Sequence, residues 1–361
     1  MKKGFDSKLY LKYQTAKIRE IIRSSTKKLY IEFGGKIVHD KHAARVLPGY
    51  DENVKLSLIK KICRDGEVIF VVSAKDIIGK RIRGDFKITY DQEALRVIAE
   101  LRKNGLKIKN VALTMLPRKK ILPKCIKKFD RQLKKIGITP YHFYEIKDYN
   151  YLPVISDFDI NPYIKTRKKI VVILSPGGGS GKFDVCLSQL YHEMKNGVMP
   201  SYLKFETFPV HDLPLDHPIN LAYMVATADL YNETFPVHDL PLDHPINLAY
   251  MAASADFYDL VMHDPRHHKV ATSYKRDVEN YELLRKIAYF FPKEGKHLID
   301  LSSATSMGVN MLSRGIIDDE LVQKEAAAEI ARRLIRYKFE VKSGKEDKEI
   351  LKRVRNILAR L

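Results

Sequence analysis

The feature that most constrains the fold of this chain is the alternation of strand-sized apolar runs with amphipathic helical patterns. The runs cover residues 29–33, 67–74, 109–116, 141–146 and 170–174, and helical patterns cover residues 53–62, 89–104, 123–136 and 182–195. Strands separated by helices of about ten or more residues are typically parallel, because the returning chain needs a crossover connection. The sequence therefore predicts an α/β fold with a mainly parallel sheet flanked by helices. Apolar periodicity beyond residue 316 predicts C-terminal helices.

The length of 361 residues predicts two packed units, with one large α/β domain as the alternative. Residues 147–168 interrupt the alternation with two prolines and several turn formers. We therefore divide the chain into a basic α/β unit at 1–150, a linker at 151–168, an α/β unit at 169–315 and helices at 316–361. The formal charge of +20 is uneven, since residues 1–169 carry a net +22 and residues 170–265 a net −9. The first unit therefore favours anionic partners.

The sharpest local motif lies in the segment KKIVVILSPGGGSGKFDVCLSQLYHE, where a β-branched run meets a glycine loop and a helical pattern. Glycines permit positive φ, and the amide N–H groups at a helix N-terminus attract anions. The motif departs from GxxxxGK[ST] because Pro176 stands first and Phe183 last, and from GxGxxG because Lys182 replaces the third glycine. We interpret the loop as a phosphate cradle, with a tightly packed strand–helix turn as the alternative. Its residues are Gly177, Gly178, Gly179, Ser180, Gly181 and Lys182.

A second glycine pair, Gly34 and Gly35, follows the first predicted strand and precedes several basic residues and histidines. His42 and Arg45 in this stretch are candidates for charge neutralisation or proton transfer. His192, on the helix that follows the cradle, is the third candidate. An exposed basic turn is the alternative interpretation of the Gly34 stretch.

The chain also contains an identical internal repeat. The segment ETFPVHDLPLDHPINLAYM occurs at residues 206–224 and again at residues 233–251. Structural repeats diverge outside their packing positions and need three or more copies to bury a core. The units 206–232 and 233–259 are therefore interpreted as a recent tandem duplication or an artefact, with one copy surplus to the fold.

Histidine and cysteine spacing predicts no metal site and no disulfide framework. Eight of the twelve histidines lie between His192 and His268, but none forms an HExxH pattern. Hydrogen-bonded or surface histidines are the expected roles. The three cysteines are far apart and form no CxxC pair. The longest apolar runs are strand-sized, and no apolar stretch follows the N-terminal lysines, so we expect a cytoplasmic protein without membrane spans.

Several segments, taken in order, resemble a known family. They are LYIEFGGKIVHDKHAARVLPGY, RGDFKITYD, SPGGGSGK, CLSQLYHE, KFETFPVHDLPLDHPINLAYMVATADL and MGVNM. They are similar to a bacterial family, the domain of unknown function number 1846, some of whose members are labelled ATP-dependent peptidases. The resemblance implies an α/β protein with a helical insertion and a further C-terminal portion, and it implies no settled activity. The residues that match the family pattern are Gly34, Gly35, His42, Arg45, Arg83, Asp85, Gly177, Gly179, Ser180, Gly181, Lys182, His217 and Asn310.

Three departures from the family pattern accompany the resemblance. Members carry the repeated segment once, have Asp where Ser306 stands, and continue past the position of Leu361. If the further portion completes an active site, this chain folds without being active. The last helix would then expose an apolar face, which predicts a homo-oligomer formed through that helix.

Together these observations predict binding of a phosphorylated small molecule or nucleotide at the cradle, with catalysis left open. The reaction type does not follow from the residues. Neither an HExxH zinc motif nor a GxSxG elbow supports the peptidase label. One alternative is a non-catalytic phosphometabolite-binding or assembly protein that uses the same cradle. The other is nucleic-acid binding through the basic first half.

Overall fold

The computed structural model describes residues 2–24, 28–38, 41–83, 86–118, 121–146, 155–198, 200–205, 213, 217–226, 260–264, 269–273, 308–344, 348–359 and 361. The described strands are β1 (Lys28–Phe33), β2 (Gly66–Ser73), β3 (Ile82–Arg83), β4 (Ile88–Thr89), β5 (Ile108–Leu116), β6 (Thr139–Tyr144), β7 (Ile170–Leu174), β8 (Pro200–Phe205), β9 (Leu260–Asp264), β10 (Lys269–Ser273) and β11 (Gly308–Val309).

A seven-stranded parallel sheet lies at the centre of the fold, in the order β11-β8-β1-β7-β2-β5-β6. Two short antiparallel pairs, β3 with β4 and β9 with β10, lie outside that sheet. The prediction of an α/β fold with a mainly parallel sheet is confirmed.

Helices flank the sheet and close the chain, as predicted. Local signals explain several of their ends. The Thr89 and Gln92 side chains form the expected capping box at one helix start, and the Asp318 carboxylate accepts from the amide of Leu321 at another. The helices are α1 (Ser7–Ser24), α2 (Lys41–Val46), α3 (Val54–Ile62), α4 (Ala74–Ile78), α5 (Tyr90–Lys103), α6 (Lys124–Lys135), α7 (Lys182–Lys195), α8 (Pro218–Ala226), α9 (Asp319–Lys342) and α10 (Lys348–Leu358).

The two faces of the sheet bury separate apolar clusters. One cluster joins alternate strand residues such as Ile31 and Val172 to helices that include α2, α3 and α9. The opposite cluster joins Tyr30, Val171 and Tyr202 to the apolar face of α7. Because successive residues of a strand point to opposite faces, these strands are largely apolar throughout, as expected for a sheet covered on both sides.

Strands from both sides of the predicted boundary at 151–168 join this one sheet. β1 precedes that boundary and lies between β7 and β8, which follow it. The chain leaves β1 towards α2 and α3 on one face and leaves β7 towards α7 on the other. Adjacent strands whose connections diverge in this way form a topological switch point, and open α/β sheets bind ligands outside the carboxyl ends of such strands.

The first copy of the repeated segment contributes to the core. Its helix α8 buries Ile219, Leu221 and Val225, and the Tyr337 hydroxyl of α9 donates to the Val225 carbonyl oxygen over 3.1 Å. Residues 233–251, the second copy, lie outside the described residues, so the expected surplus copy stays a prediction. No helix among those described is long and apolar enough to cross a membrane.

The last helix does not present the exposed apolar face that we expected. Ile350, Val354 and Ile357 of α10 are buried, and α10 packs against α8 and α9 of the same chain. The helix buries its apolar stripe intramolecularly because α8 and α9 supply the facing surface. The expected exposure is therefore wrong, although homo-oligomer formation itself stays a prediction.

Candidate functional site

The glycine loop joins the carboxyl end of β7 to the start of α7, at the switch point. The Gly177 carbonyl oxygen accepts from the hydroxyls of Ser175, over 2.6 Å, and Ser180, over 2.8 Å. The Lys182 ammonium group donates to the Ser175 hydroxyl over 3.0 Å and to the same carbonyl over 3.4 Å. These three hydrogen bonds to one buried carbonyl oxygen connect the loop to the end of β7 and to the start of α7.

The outer surface of the loop is formed by glycines. Gly178 and Gly179 are exposed, and a methyl group added to either would meet no atom within 4 Å. Gly179 and Gly181 have φ of 70° and 76°, in the left-handed region that favours glycine. Gly181 is the N-cap of α7 and provides no side-chain cap. The open surface lies directly before the first turn of α7, and helix N-termini bind anions through their backbone amides. The same turn also carries the carboxylate of Asp184, which adds one negative charge there.

Two residues from other elements hold the loop against the sheet. The Thr114 hydroxyl, at the end of β5, donates to the Ser180 carbonyl oxygen over 2.6 Å. The hydroxyls of Tyr90 and Ser180 lie 3.0 Å apart and share a hydrogen bond. A methyl group at Gly181 would lie 2.9 Å from the Thr114 side chain, so this contact also requires glycine. Sequence reasoning missed Thr114 and Tyr90, because their link to the loop is long-range.

Buried charged side chains occupy the sheet beside the loop, on the face that α7 covers. Glu32 and Lys204 are adjacent in register on β1 and β8, and both are buried. The Tyr202 hydroxyl donates to the Glu32 carboxylate over 2.7 Å. Burial raises the pKa of the Cys186 thiol well above its ordinary value, Glu32 raises it further, and Lys182 lowers it. Glu32, Lys182 and Lys204 therefore all lie within electrostatic range of the Cys186 thiol on α7.

Sequence reasoning also missed the buried pair Glu32 and Lys204, although the sequence contains a signal for it. Each of the strands IEF and LKF carries one charged residue, Glu32 or Lys204, between apolar neighbours. A charged side chain in a strand that is buried on both faces needs a partner or a function. The mismatch between an apolar pattern and a charged residue type is therefore a sequence signal for such a group.

The second glycine turn lies directly beside the first, because β1 and β7 are neighbours. The Gly34 amide donates to the Phe205 carbonyl oxygen over 2.8 Å, and Gly35 has φ of 68°. The buried Lys55 ammonium group donates to the Lys36 carbonyl oxygen over 3.2 Å. Both glycine turns at the switch point are therefore supported by a buried ammonium group.

Among the three predicted catalytic candidates, His192 and Arg45 have described side chains, and both form contacts outside the glycine loop. His192 lies in the last turn of α7, about 15 Å along the helix axis from its start at 1.5 Å per residue. Its Nε2 donates to the Asn161 carbonyl oxygen over 2.6 Å, so the ring holds a neighbouring segment. Arg45 lies on α2 with its guanidinium 3.7 Å from the Glu329 carboxylate. The side chain of His42 lies outside the described residues.

Two residues of the family pattern stabilise local structure. His217 accepts at Nδ1 from the Ile219 amide over 3.2 Å, so Nε2 carries the proton and donates to Asp319, also over 3.2 Å. This arrangement links the starts of α8 and α9. The Asn310 side chain accepts from the Leu312 amide over 2.8 Å. The Arg83 side chain, Gly84 and Asp85 lie outside the described residues.

Metal-ligand clusters are not found in the part of the chain that the structure describes, where no three His, Cys, Asp or Glu residues converge. The histidines of the second repeat copy and the side chains of His263, His267 and His268 lie outside that part.

Comparison with known proteins identifies one family. The sequence model described as "Domain of unknown function DUF1846, N-terminal" matches residues 3–233 and 231–361. The two matches meet at the boundary between the duplicated units, as expected when a chain carries twice a segment that the family contains once. This boundary is at residue 233.

Curated relatives cover nearly the whole chain. The UPF0371 protein of Clostridium tetani (strain Massachusetts / E88) is 41% identical over 365 residues, which span 100% of this chain and 66% of that protein. The UPF0371 protein of Clostridium botulinum (strain Alaska E43 / Type E3) is 40% identical over 362 residues, which span 99% of this chain and 66% of that protein. The UPF0371 protein FN1121 of Fusobacterium nucleatum is 41% identical over 361 residues, which span 98% of this chain and 64% of that protein. The chain thus spans slightly less than two thirds of the length of these relatives, and their names state no activity.

Proposed function

We propose, from the premise that this chain belongs to the domain of unknown function 1846 family, that its glycine loop binds the phosphate group of a small molecule or nucleotide. One observation carries the proposal. The start of α7, where Gly181 provides no side-chain cap, follows an open surface formed by Gly178 and Gly179 at the topological switch point of the sheet. Backbone amides and the helix dipole at such a position favour an anion by about 0.3–1 kcal/mol at an exposed site.

The Lys182 ammonium group supports this site from the inner side of the loop. It is buried and donates to Ser175 and to the Gly177 carbonyl oxygen. In this position it holds the loop in shape and adds positive charge behind the amides. Its contribution to ligand binding is therefore electrostatic and structural, and it differs from a lysine that extends into solvent to contact a phosphate.

The proposal concerns binding and leaves turnover to experiment. Phe183 occupies the position where a nucleotide-binding loop has a hydroxyl for Mg²⁺, and its ring packs against Tyr202 with centroids 5.7 Å apart. A standard ATPase mechanism is therefore not part of the proposal. Turnover of a bound metabolite would identify an enzyme, and binding without turnover would identify a sensor or assembly protein.

The test is a thermal-shift screen with inorganic phosphate, nucleotides and sugar phosphates, because a ligand that binds only the folded state raises the melting temperature. Substitution Gly178→Asp places a carboxylate on the outer surface of the loop without a clash. At a separation of about 4 Å, repulsion between two unit charges is about 1 kcal/mol in water and about 4 kcal/mol near a protein surface. We therefore expect affinity for the phosphorylated ligand to fall about tenfold or more.

Asn196→Asp is the matched control, because it adds the same charge at the exposed C-cap of the same helix. This variant is expected to keep the affinity of the wild-type chain. Equal affinities of the Gly178→Asp variant and the wild-type chain for each phosphorylated ligand that shifts the melting temperature would refute the proposal, as would a screen in which no ligand shifts it.

A further inference from the structure

We propose that a cavity between α2 and α9 is a second anion site, which takes the phosphate groups of a small, multiply charged molecule. The cavity has a volume of about 370 Å³. We call it the arginine cavity, after the described residues that line it, which are Arg45, Glu329, Arg332, Arg333 and Arg336. None of these belongs to the glycine loop, so this proposal is independent of the function proposed above.

Helix geometry explains why the arginines converge. Positions 329, 332, 333 and 336 of α9 are spaced by three, four and seven residues, and such positions share one face of an α-helix. Arg45 lies in the last turn of α2, which packs against α9 and forms the opposite wall. The guanidinium groups therefore approach the same space from two helices.

Glu329 organises three of these arginines, whereas the fourth, Arg336, pairs with Glu340 over 2.8 Å. Its carboxylate is buried and accepts from Nε of Arg333 over 2.9 Å and from Nε of Arg332 over 3.0 Å. A guanidinium nitrogen of Arg45 lies 3.7 Å from the same carboxylate, close enough for an ion pair. Burial alone would raise the pKa of Glu329, but Arg332 and Arg333 outweigh it and hold the pKa below the usual value. The carboxylate is therefore ionised at neutral pH and fixes the arginines in place.

The charge on the cavity wall exceeds what Glu329 neutralises. The side chains of Arg45 and Arg332 are 50% and 53% exposed, and both form their ion pairs with this same carboxylate. One negative charge shared in this way leaves the exposed pair with a positive surplus. Because like charges gathered around one space repel each other, an anion with two or more negative charges would stabilise the arrangement.

The shape of the site favours a small phosphate-bearing ligand over an extended polyanion. A volume of about 370 Å³ is at the low end of small-molecule pockets, which hold about 300–1,000 Å³. The arginines converge on this space, whereas a nucleic-acid surface distributes its cations along a stripe. Guanidinium groups also match phosphate oxygens with paired, charge-assisted hydrogen bonds.

The test is isothermal titration of pyrophosphate into the Gly178→Asp chain, in which phosphate binding at the glycine loop is expected to be weakened. We expect this chain to bind pyrophosphate, and we expect the added changes Arg45→Gln and Arg332→Gln to weaken binding at least tenfold. Both side chains are half-exposed, so the fold should tolerate their replacement. Circular dichroism and the melting temperature check that it does.

The matched control carries Arg19→Gln and Arg131→Gln in the same background. Both arginines are exposed on other helices, so this control removes the same charge away from the cavity. It is expected to keep pyrophosphate affinity within a factor of two. Equal losses in both double variants would show a general charge effect and overturn the proposal. Absence of pyrophosphate binding to the Gly178→Asp chain at millimolar concentration would also overturn it, while leaving the glycine-loop proposal intact if the wild-type chain binds.

Discussion

A methyl group at Gly181 gives the sharpest test of how the glycine loop is built. Gly181 has φ of 76°, and its added Cβ would lie 2.9 Å from both Cβ and Oγ1 of Thr114 and 3.2 Å from the Asp184 carboxylate. Thr114 cannot move away freely, because its hydroxyl donates to the Ser180 carbonyl oxygen over 2.6 Å. The substitution Gly181→Ala therefore combines an unfavourable backbone conformation with a steric clash.

The expected loss of free energy of unfolding follows from the backbone strain and from the steric clash. A non-glycine residue in the left-handed region costs about 1–2 kcal/mol, and an extra methyl group in a packed site costs about 1–3 kcal/mol. We expect Gly181→Ala to lower the free energy of unfolding by about 2–5 kcal/mol. This is a large part of the roughly 5–15 kcal/mol that is typical of folded domains, so the urea midpoint should fall clearly.

Gly178→Ala is the matched control in the same loop. Gly178 has no positive φ, and its added methyl group would meet no atom within 4 Å. Its effect on the free energy of unfolding should stay within about 0.5 kcal/mol, as for ordinary surface changes. Equal urea midpoints of the Gly181→Ala and Gly178→Ala variants would refute this prediction, because backbone strain and the contact with Thr114 would then have no effect on stability.

Two further predictions concern Glu329 and the repeat. The lowered pKa of Glu329 means that its ion pairs stabilise the fold above the ordinary value of 4.5 and lose that effect as the pH falls through the folded-state pKa. In urea titrations at neutral pH, the Glu329→Gln variant should therefore have a lower free energy of unfolding than the wild-type chain. This difference in free energy should shrink as the pH falls, and a difference that stays constant with pH would contradict the prediction. Deleting residues 233–259 should leave the melting temperature unchanged or raise it, because α8 of the first copy already packs against α9. A collapsed fold would show that both copies are structural.

Short-range patterns predicted many of the helices and strands and the position of the glycine loop, but they missed α1 and the interior strand β8. The capping box of Thr89 and Gln92 starts α5 where expected, and the apolar run before Ser175 forms β7. Such signals are readable because a helix cap or a glycine turn depends on residues only a few positions apart. The same rules identified residues 177–182, including Lys182, as a candidate anion site, but they did not identify Thr114 and Tyr90, which hold the loop from other elements.

Tertiary structure alone decided which distant residues and elements contact each other. Only the strand order places β1 beside β7 and brings Glu32 next to Lys204 in register. Likewise, only helix packing brings Arg45 to Glu329, in a cavity that no residue of the glycine loop lines. Local periodicity records which face of an element is buried but not which distant element covers it. The element types and the glycine loop thus followed from local chemistry, whereas the contact of Thr114 with that loop and the arginine cavity depend on long-range packing that local patterns do not specify.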